Sequence, residues 1–315
     1  MTECYWCPAC HSSSLTLVEG ERLDCASCGA SYPLVNQVPI LINDVNSVFA
    51  IADYVSAKGY SGVSYGRDDD VTVSGWRKGY RRMAHAISEF GIRSDHLDST
   101  AAIAKVCQGA TTRPRILIIG AGNVRFSHAA DFVYTDVAFS AGIDAIVDSH
   151  DLPLADASFD MVVAVAVLEH VADPFRVVNE IWRVLKPEGF VYAVTPFLQP
   201  VHMGAYDFTR FTYLGHRRLF RRFADEASGL VLGPGAVSAW AFRSLLLSFS
   251  SNKSYRRLAN LVGLLVSVPI KHLDYVARRH PVALDGAGGF YFFGRKQTYA
   301  ISDRALIKLY RGGFD

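Results

Sequence analysis

The stretch that most restricts how this chain can fold is "RILIIGAGN", residues 115–123. Residues 116–119 are apolar without alternation, the pattern of a β-strand covered on both faces. Gly120 and Gly122 follow at once. Lacking a Cβ, they let the backbone turn sharply and come close to a ligand. A second strand then closes on Asp136, and a third, in "IVDSHDLP", on Asp148. This is the grammar of an open parallel sheet, which binds its ligands beyond the carboxyl ends of the strands. A dinucleotide fingerprint would need a third glycine at position 125. Arg125 stands there, which argues against a nicotinamide cofactor. A carboxylate ending the second strand can accept hydrogen bonds from both ribose hydroxyls of a nucleoside. One ending the third can accept from an adenine amino group.

Residues 154–196, "LADASFDMVVAVAVLEHVADPFRVVNEIWRVLKPEGFVYAVTP", read as strand, loop, amphipathic helix, turn and strand. With "IGAG", "VDSHDLP", "SFDMVV", "LEHV" and "RVLKPEG", residues 116–196 resemble class I S-adenosylmethionine-dependent methyltransferases of the type 11, small-molecule kind. The resemblance implies an α/β, Rossmann-like sheet and S-adenosylmethionine as cofactor. It places Gly120, Gly122, Asp136, Asp148, Ser149 and Leu168 around that cofactor, with His170 shaping its floor. Two departures stand out. Ile118 or Ile119 replaces the acidic residue that orders the turn and the methionine amino group in the family. The spacing from Asp136 to Asp148 also leaves little room for the usual second helix. A degenerate domain acting only as a binding subunit is an alternative, since fold and activity are separable.

"TPFLQPVHMGAYDFTRFT" follows the fifth strand and faces the same edge. Methyl transfer is an in-line displacement that holds acceptor and methyl in line and removes a proton from an oxygen or nitrogen acceptor. His202 is the first choice of base and His170 the second, because histidine titrates near neutrality. A loop histidine bonded to backbone is the competing reading of His202. Tyr206, Asp207 and Arg210 are candidate acceptor contacts; Arg210 either binds an anionic or hydroxyl group or pairs with Asp207. The layout "PF.QP.H....DF.R.T..G...LF..F" resembles uncharacterised methyltransferases of bacterial glycan and secondary-metabolite pathways. That implies a small-molecule or glycan-type acceptor. An rRNA or tRNA methyltransferase is the enzymatic alternative, but "LEHV" stands where many base-amino methyltransferases carry an Asn/Asp-Pro-Pro-Tyr/Phe tetrapeptide.

Five of six cysteines fall in the first 28 residues. "CPAC" (Cys7, Cys10) and "CASC" (Cys25, Cys28) have the spacing of a tetrahedral four-sulfur zinc site, with two short strands expected around Glu19-Gly20 between them. Such a site is closed and therefore structural, and a module this small depends on its metal to fold. Cys4 is a spare thiol or an alternative ligand, and Cys107, in apolar company, reads as a core residue. The continuation "C..CG..YP....P.L" resembles the small zinc-ribbon protein that activates certain tRNA, rRNA and release-factor methyltransferases. That family usually has a glycine where this chain has Gln37, so a different turn is expected there.

The expected organisation is a zinc ribbon over 1–45, a helical connector over 46–112, and a methyltransferase domain over 113–315. The connector holds a helix over 76–92 and a glycine-rich candidate lid over 58–70. The last domain carries a helical insertion at about 240–281. The polar N-terminus reads as no secretion signal, which points to the cytoplasm and to thiols rather than disulfides. No apolar run reaches the ~18–20 residues of a membrane span. Residues 201–315 carry 17 Lys and Arg against 7 Asp and Glu. That basic balance suits an anionic substrate, nucleic acid, a membrane surface or simply an Arg-rich exterior. The apolar run 258–270 is expected to be buried, in a homo-oligomer or against the sheet, or to lie on a membrane surface.

Overall fold

The computed structural model describes residues 5–12, 15–56 and 96–313. The expected lid over 58–70, the helix expected over 76–92, and Cys4 lie outside these residues.

The N-terminal strands β1 (Leu15–Val18), β2 (Arg22–Cys25), β3 (Ser31–Val35) and β4 (Val38–Leu41) form an antiparallel meander. Its hairpins turn at Glu19-Gly20 and Asn36-Gln37, all four residues having positive φ. This is the left-handed turn that suits the twist of paired strands. Gln37 holds φ +66, so the backbone keeps a conformation that favours glycine and carries a side chain there at a cost of about 1 kcal/mol.

The main sheet is built on β5 (Arg115–Ile119), β6 (Asp131–Asp136), β7 (Ala145–Val147), β8 (Phe159–Val165) and β9 (Leu185–Pro196). Including β10 (Phe223–Leu232) and β11 (Gly289–Lys296), the order is β1-β2-β3-β4-β7-β6-β5-β8-β9-β11-β10. Strands β4 to β9 of that row are mutually parallel, and β11 runs antiparallel between β9 and β10. The ribbon is therefore joined to the sheet: Ile40 pairs with Ile146 and Leu41 with Val147.

Side chains alternate across the sheet with the period of two that strands impose. Leu117, Ile119, Val162, Ala164 and Val191 enter a core shared with Val177, Val178 and Ile181 of α3 (Pro174–Val184) and with Leu23, Cys25 and Tyr32 of the ribbon. Ile116, Ile118, Met161, Val163 and Tyr192 enter the opposite core, with Ala102, Ile103 and Val106 of α2 (Ser99–Gly109). Parallel neighbours are usually joined through a helix. Here the β5–β6 and β6–β7 connections contain none, so the trimming expected after Asp136 extends to the glycine turn as well. Phe126, Phe132 and Tyr134 fill the space as a stack with ring centroids 5.9 and 5.6 Å apart. The short helix α1 (Ile51–Ser56) completes that face, and its Tyr54 hydroxyl donates to the Val137 carbonyl at 2.7 Å.

Two helices, α4 (Pro234–Ser248) and α5 (Lys253–His272), form a hairpin between β10 and β11. Asp274 caps α4, accepting from the Gly235 and Ala236 amides at 2.7 and 2.9 Å. Leu245, Phe249, Leu258 and Leu265 are all more than half exposed. Burial of the run 258–270 is corrected to a partial one: Ala259, Gly263 and Ser267 are buried, Leu264, Val266, Val268 and Ile270 are half-buried, and Leu258, Leu261, Val262 and Leu265 are exposed. No described helix is long and apolar enough to cross a membrane.

Candidate functional site

The carboxyl ends of β5, β6, β7 and β8 bring the candidate residues to one edge. Gly120 and Gly122 have φ +62 and +47, the left-handed region that glycine enters without strain. A Cβ on Gly120 would lie 2.4 Å from Val167 in the loop after β8, whereas one on Gly122 would meet nothing within 4 Å among the described residues, which leave space there for a ligand. Asp136 braces this turn, accepting from the Gly122 amide at 2.8 Å and the Ala138 amide at 3.0 Å. Burial raises its pKa, more than these N–H bonds lower it. Arg125 donates to the Gly122 carbonyl at 3.0 Å and stacks its guanidinium over Tyr134 at 4.6 Å. It ties the turn together where a dinucleotide fold would use glycine.

Asp148 has different surroundings from those expected. It is 5% exposed and accepts from the Ser47 hydroxyl and from the His150 amide and ring. The His150 Nε2 in turn accepts from the Asp173 amide at 3.0 Å, so the ring proton lies on Nδ1, facing Asp148. Burial would raise the Asp148 pKa, but the His150 and Ser47 bonds outweigh it and hold it low. The network pins the segment after β4 to the ends of β7 and α3. Ser149 is buried beside it. Leu168 is fully buried in the core shared with α3.

Past β8, "LEHV" and the loop after β9 meet. The Glu169 carbonyl accepts from the Phe208 and Thr209 amides at 2.8 and 3.3 Å, which docks one loop on the other. His170 and His202 approach with Nε2 atoms 3.1 Å apart and rings nearly perpendicular. The Glu169 carboxylate is 1% exposed, and Oε1 lies 3.6 Å from His202 Nε2 and 3.8 Å from His170 Nε2. This neighbouring charge raises the His202 pKa against the effect of burial. Glu169 was not singled out from the sequence, although an acid in the turn just past an apolar strand was a readable signal.

Arg210 and Asp207 form a clamp on this loop. Both guanidinium Nη atoms bond the Asp207 carboxylate, and the remaining N–H groups donate to the Gln199, Pro200 and Thr209 carbonyls. No donor is left for an acceptor molecule, so the expected acceptor contact of Arg210 is corrected to the pairing with Asp207. Asp207, 1% exposed in its side chain, also accepts from the His202 amide at 2.7 Å, and the clamp thereby sets His202 in place. Burial would raise the Asp207 pKa, but Arg210 and this amide lower it further. Tyr206 stacks on Phe49 with ring centroids 5.7 Å apart, and its carbonyl faces His170 Nδ1 at 2.8 Å. Arg210→Ala should cost about 3 kcal/mol in chemical denaturation, the low end for stranding one partner of a buried pair, because the guanidinium is partly exposed. Unchanged stability would show that Asp207 finds another partner.

In the ribbon, the Cys7, Cys10, Cys25 and Cys28 sulfurs lie within 4.8 Å of one another. Cys7 to Cys28 is 3.7 Å and Cys10 to Cys25 is 3.6 Å, and none of the four is disulfide-bonded. A tetrahedral zinc with bonds of about 2.3 Å sets sulfurs about 3.8 Å apart, so this donor set fits the metal. The Tyr32 hydroxyl lies 3.2 Å from Cys7 Sγ.

Residues 117–193 match the family described as a methyltransferase domain. The 27-O-demethylrifamycin SV methyltransferase of Amycolatopsis mediterranei (strain S699) is 35% identical over 97 residues, covering 24% of this chain and 36% of that protein. An uncharacterized methyltransferase of Mycobacterium sp. (strain JLS) is 40% identical over 76 residues, covering 24% of this chain and 29% of that one. The chain thus spans about a third of the length of the curated relatives it matches. Phosphoethanolamine N-methyltransferase 2 of Haemonchus contortus, solved with S-adenosyl-L-methionine, aligns with a TM-score of 0.37 and 15% identity over 72% of this chain and 61% of that one. The family match takes in the glycine turn, Asp136, Asp148, Glu169 and His170; the cysteine ribbon and His202 lie outside it.

Proposed function

We propose that this protein moves a methyl group from S-adenosylmethionine to an oxygen or nitrogen of a small-molecule or glycan-type acceptor. The observation that carries the reading is a juxtaposition within the methyltransferase-domain match: an open glycine turn braced by Asp136, on the sheet edge that also presents Glu169 and His170. The left-handed turn, the open space at Gly122 and the carboxylate ending β6 fit the cofactor. Gly120, Gly122 and Asp136 would hold its nucleoside end, with Asp148 and Ser149 fixing the neighbouring strand end. When bound, the cofactor supplies an electrophilic methyl on a sulfonium.

The chain's own part is positioning and proton handling. Tyr206 and the Glu169–His170–His202 cluster receive the acceptor, and the Arg210–Asp207 clamp fixes the loop that carries His202. Holding the reacting atom in line is itself a large part of such a rate. In the ribbon, Cys7, Cys10, Cys25 and Cys28 hold one structural zinc, in a module built like the methyltransferase-activating zinc ribbon. We place the chemistry in 113–315 and treat 1–45 as a fused stabilising module, in a cytoplasmic protein.

Calorimetry with S-adenosylhomocysteine tests the reading. Wild-type protein should bind one molecule per chain, and Asp136→Ala should weaken binding by about 1.5–3 kcal/mol, the loss of a charged acceptor. A chain that binds no S-adenosylhomocysteine would be a binding module of another kind.

A further inference from the structure

Glu169, His170 and His202 contain a feature that proton transfer leaves unexplained. Both Glu169 oxygens are buried without a hydrogen-bond partner among the described residues. Polar groups in protein interiors are almost always bonded, and an ionised carboxylate is the costliest to strand. Both imidazoles turn toward it. His170 Nδ1 lies 2.8 Å from the Tyr206 carbonyl, so its proton sits there and Nε2 presents a lone pair. His202 Nδ1 faces the Pro200 carbonyl at 3.4 Å, and its Nε2 lies 3.1 Å from that of His170, so without a cation the His202 Nε2 carries the proton shared between the rings, and a cation binds by displacing it. The three ligand atoms lie within 4.8 Å of one another, at 3.1, 3.6 and 3.8 Å pairwise. Bonds of about 2.0–2.2 Å to a shared cation put neighbouring donors about 3–4 Å apart.

We propose that Glu169, His170 and His202 form a second metal centre, which takes a divalent first-row transition cation through two imidazoles and one carboxylate. Two nitrogens and one oxygen are the donors of open sites that keep further positions for water or substrate. The outer contacts have the form such sites use: each ring faces a carbonyl through Nδ1, and Asp207 holds the His202 backbone. It differs from the ribbon site in composition and in offering three donors where the ribbon offers four. Its donors lie in the loops after β8 and β9, on the edge where the proposed acceptor arrives, so an acceptor oxygen is the natural additional ligand. The cation site lies within the cluster used by the methyl-transfer reading, but its test reads binding of the cation alone. Failure here leaves the S-adenosylhomocysteine result standing, and the reverse also holds.

The test uses the full chain with its thiol site loaded with one equivalent of zinc. Cobalt(II) is then titrated in and followed by visible absorption, calorimetry and metal analysis. One cobalt per chain is expected, with d–d bands and without the near-ultraviolet thiolate bands that replacement of the ribbon zinc would give. Glu169→Gln should weaken binding by more than the roughly 10–100-fold lost with an outer-shell partner. His202→Ala, in a partly exposed loop, is the second variant should Glu169→Gln fail to fold. Cys107→Ser should bind cobalt as wild type. The proposal is overturned if the zinc-loaded chain takes up no cobalt, the result expected of a proton shared between the two rings. It is equally overturned if cobalt appears only with thiolate bands, or if neither variant weakens binding.

Discussion

Cys25→Ser protein is expected to lose its zinc and at least about 5 kcal/mol of stability, seen as a lowered calorimetric midpoint with an early transition for the ribbon. Structural zinc contributes about 10–16 kcal/mol of apparent binding free energy to small modules, where binding and folding are one event. Part of that is offset here, because the ribbon also packs on the main sheet. Cys7 and Cys25 are 0% and 2% exposed, in one core with Leu152, Leu154, Val177 and Ile181. Trp6 donates to the Pro153 carbonyl at 2.8 Å, and Asn43 and Asn46 both reach Asp151. Losing the metal therefore loosens a wall of the neighbouring domain as well as the ribbon. Metal analysis and scanning calorimetry on the same samples check this, with Cys4→Ser expected to keep both zinc and midpoint. A metal-free Cys25→Ser protein melting like wild type would separate the zinc from the fold.

The second large effect concerns chemistry. Once an acceptor is known, His202→Ala assayed in protein carrying only the ribbon metal should lower turnover by about 10²–10⁴-fold, the range for removing a group that handles the acceptor's proton. S-adenosylhomocysteine binding should stay at the wild-type value, since His202 belongs to the loop after β9 and the glycine turn to the loop after β5. Single-turnover rates measured beside calorimetry read the two separately. Wild-type turnover in His202→Ala would move the role to His170, or leave proximity alone to account for the rate. Loss of cofactor binding would mean that the loop serves the other ligand.

Signals that were local in the sequence survived into the structure. The run 116–119, the glycine turn and the paired Cys-x-x-Cys motifs each state their own geometry within a few residues. Signals that needed a distant partner did not. Asp148 looked free because Ser47, which occupies one of its oxygens, is 101 positions away. Arg210 offered a choice between acceptor and Asp207, and only the enclosing carbonyls of Gln199, Pro200 and Thr209 decide it. That both Glu169 oxygens are buried without a hydrogen bond among the described residues belongs wholly to tertiary packing. The same is true of the helix-free connections after β5 and β6: the sequence showed the second to be short, but not that an aromatic stack would replace both helices.

The parallel pairing of β4 with β7 carries a consequence for anyone trimming this chain. β7 is three residues long, Ala145–Val147, and buried throughout. With residues 1–45 removed, Ile146 and Val147 would offer bare N–H and C=O groups and apolar side chains to any passing strand. Natural sheets protect such edges with charge, bulges or a covering element. Here the cover is a strand from the cysteine-bearing segment. A truncated chain beginning near residue 46 should thus self-associate through β7 instead of yielding a smaller soluble catalyst. Light scattering of that fragment should show particles that grow with concentration, while the intact chain keeps a fixed size. Zinc supply would then govern colloidal behaviour at a sheet edge that holds none of the metal's ligands.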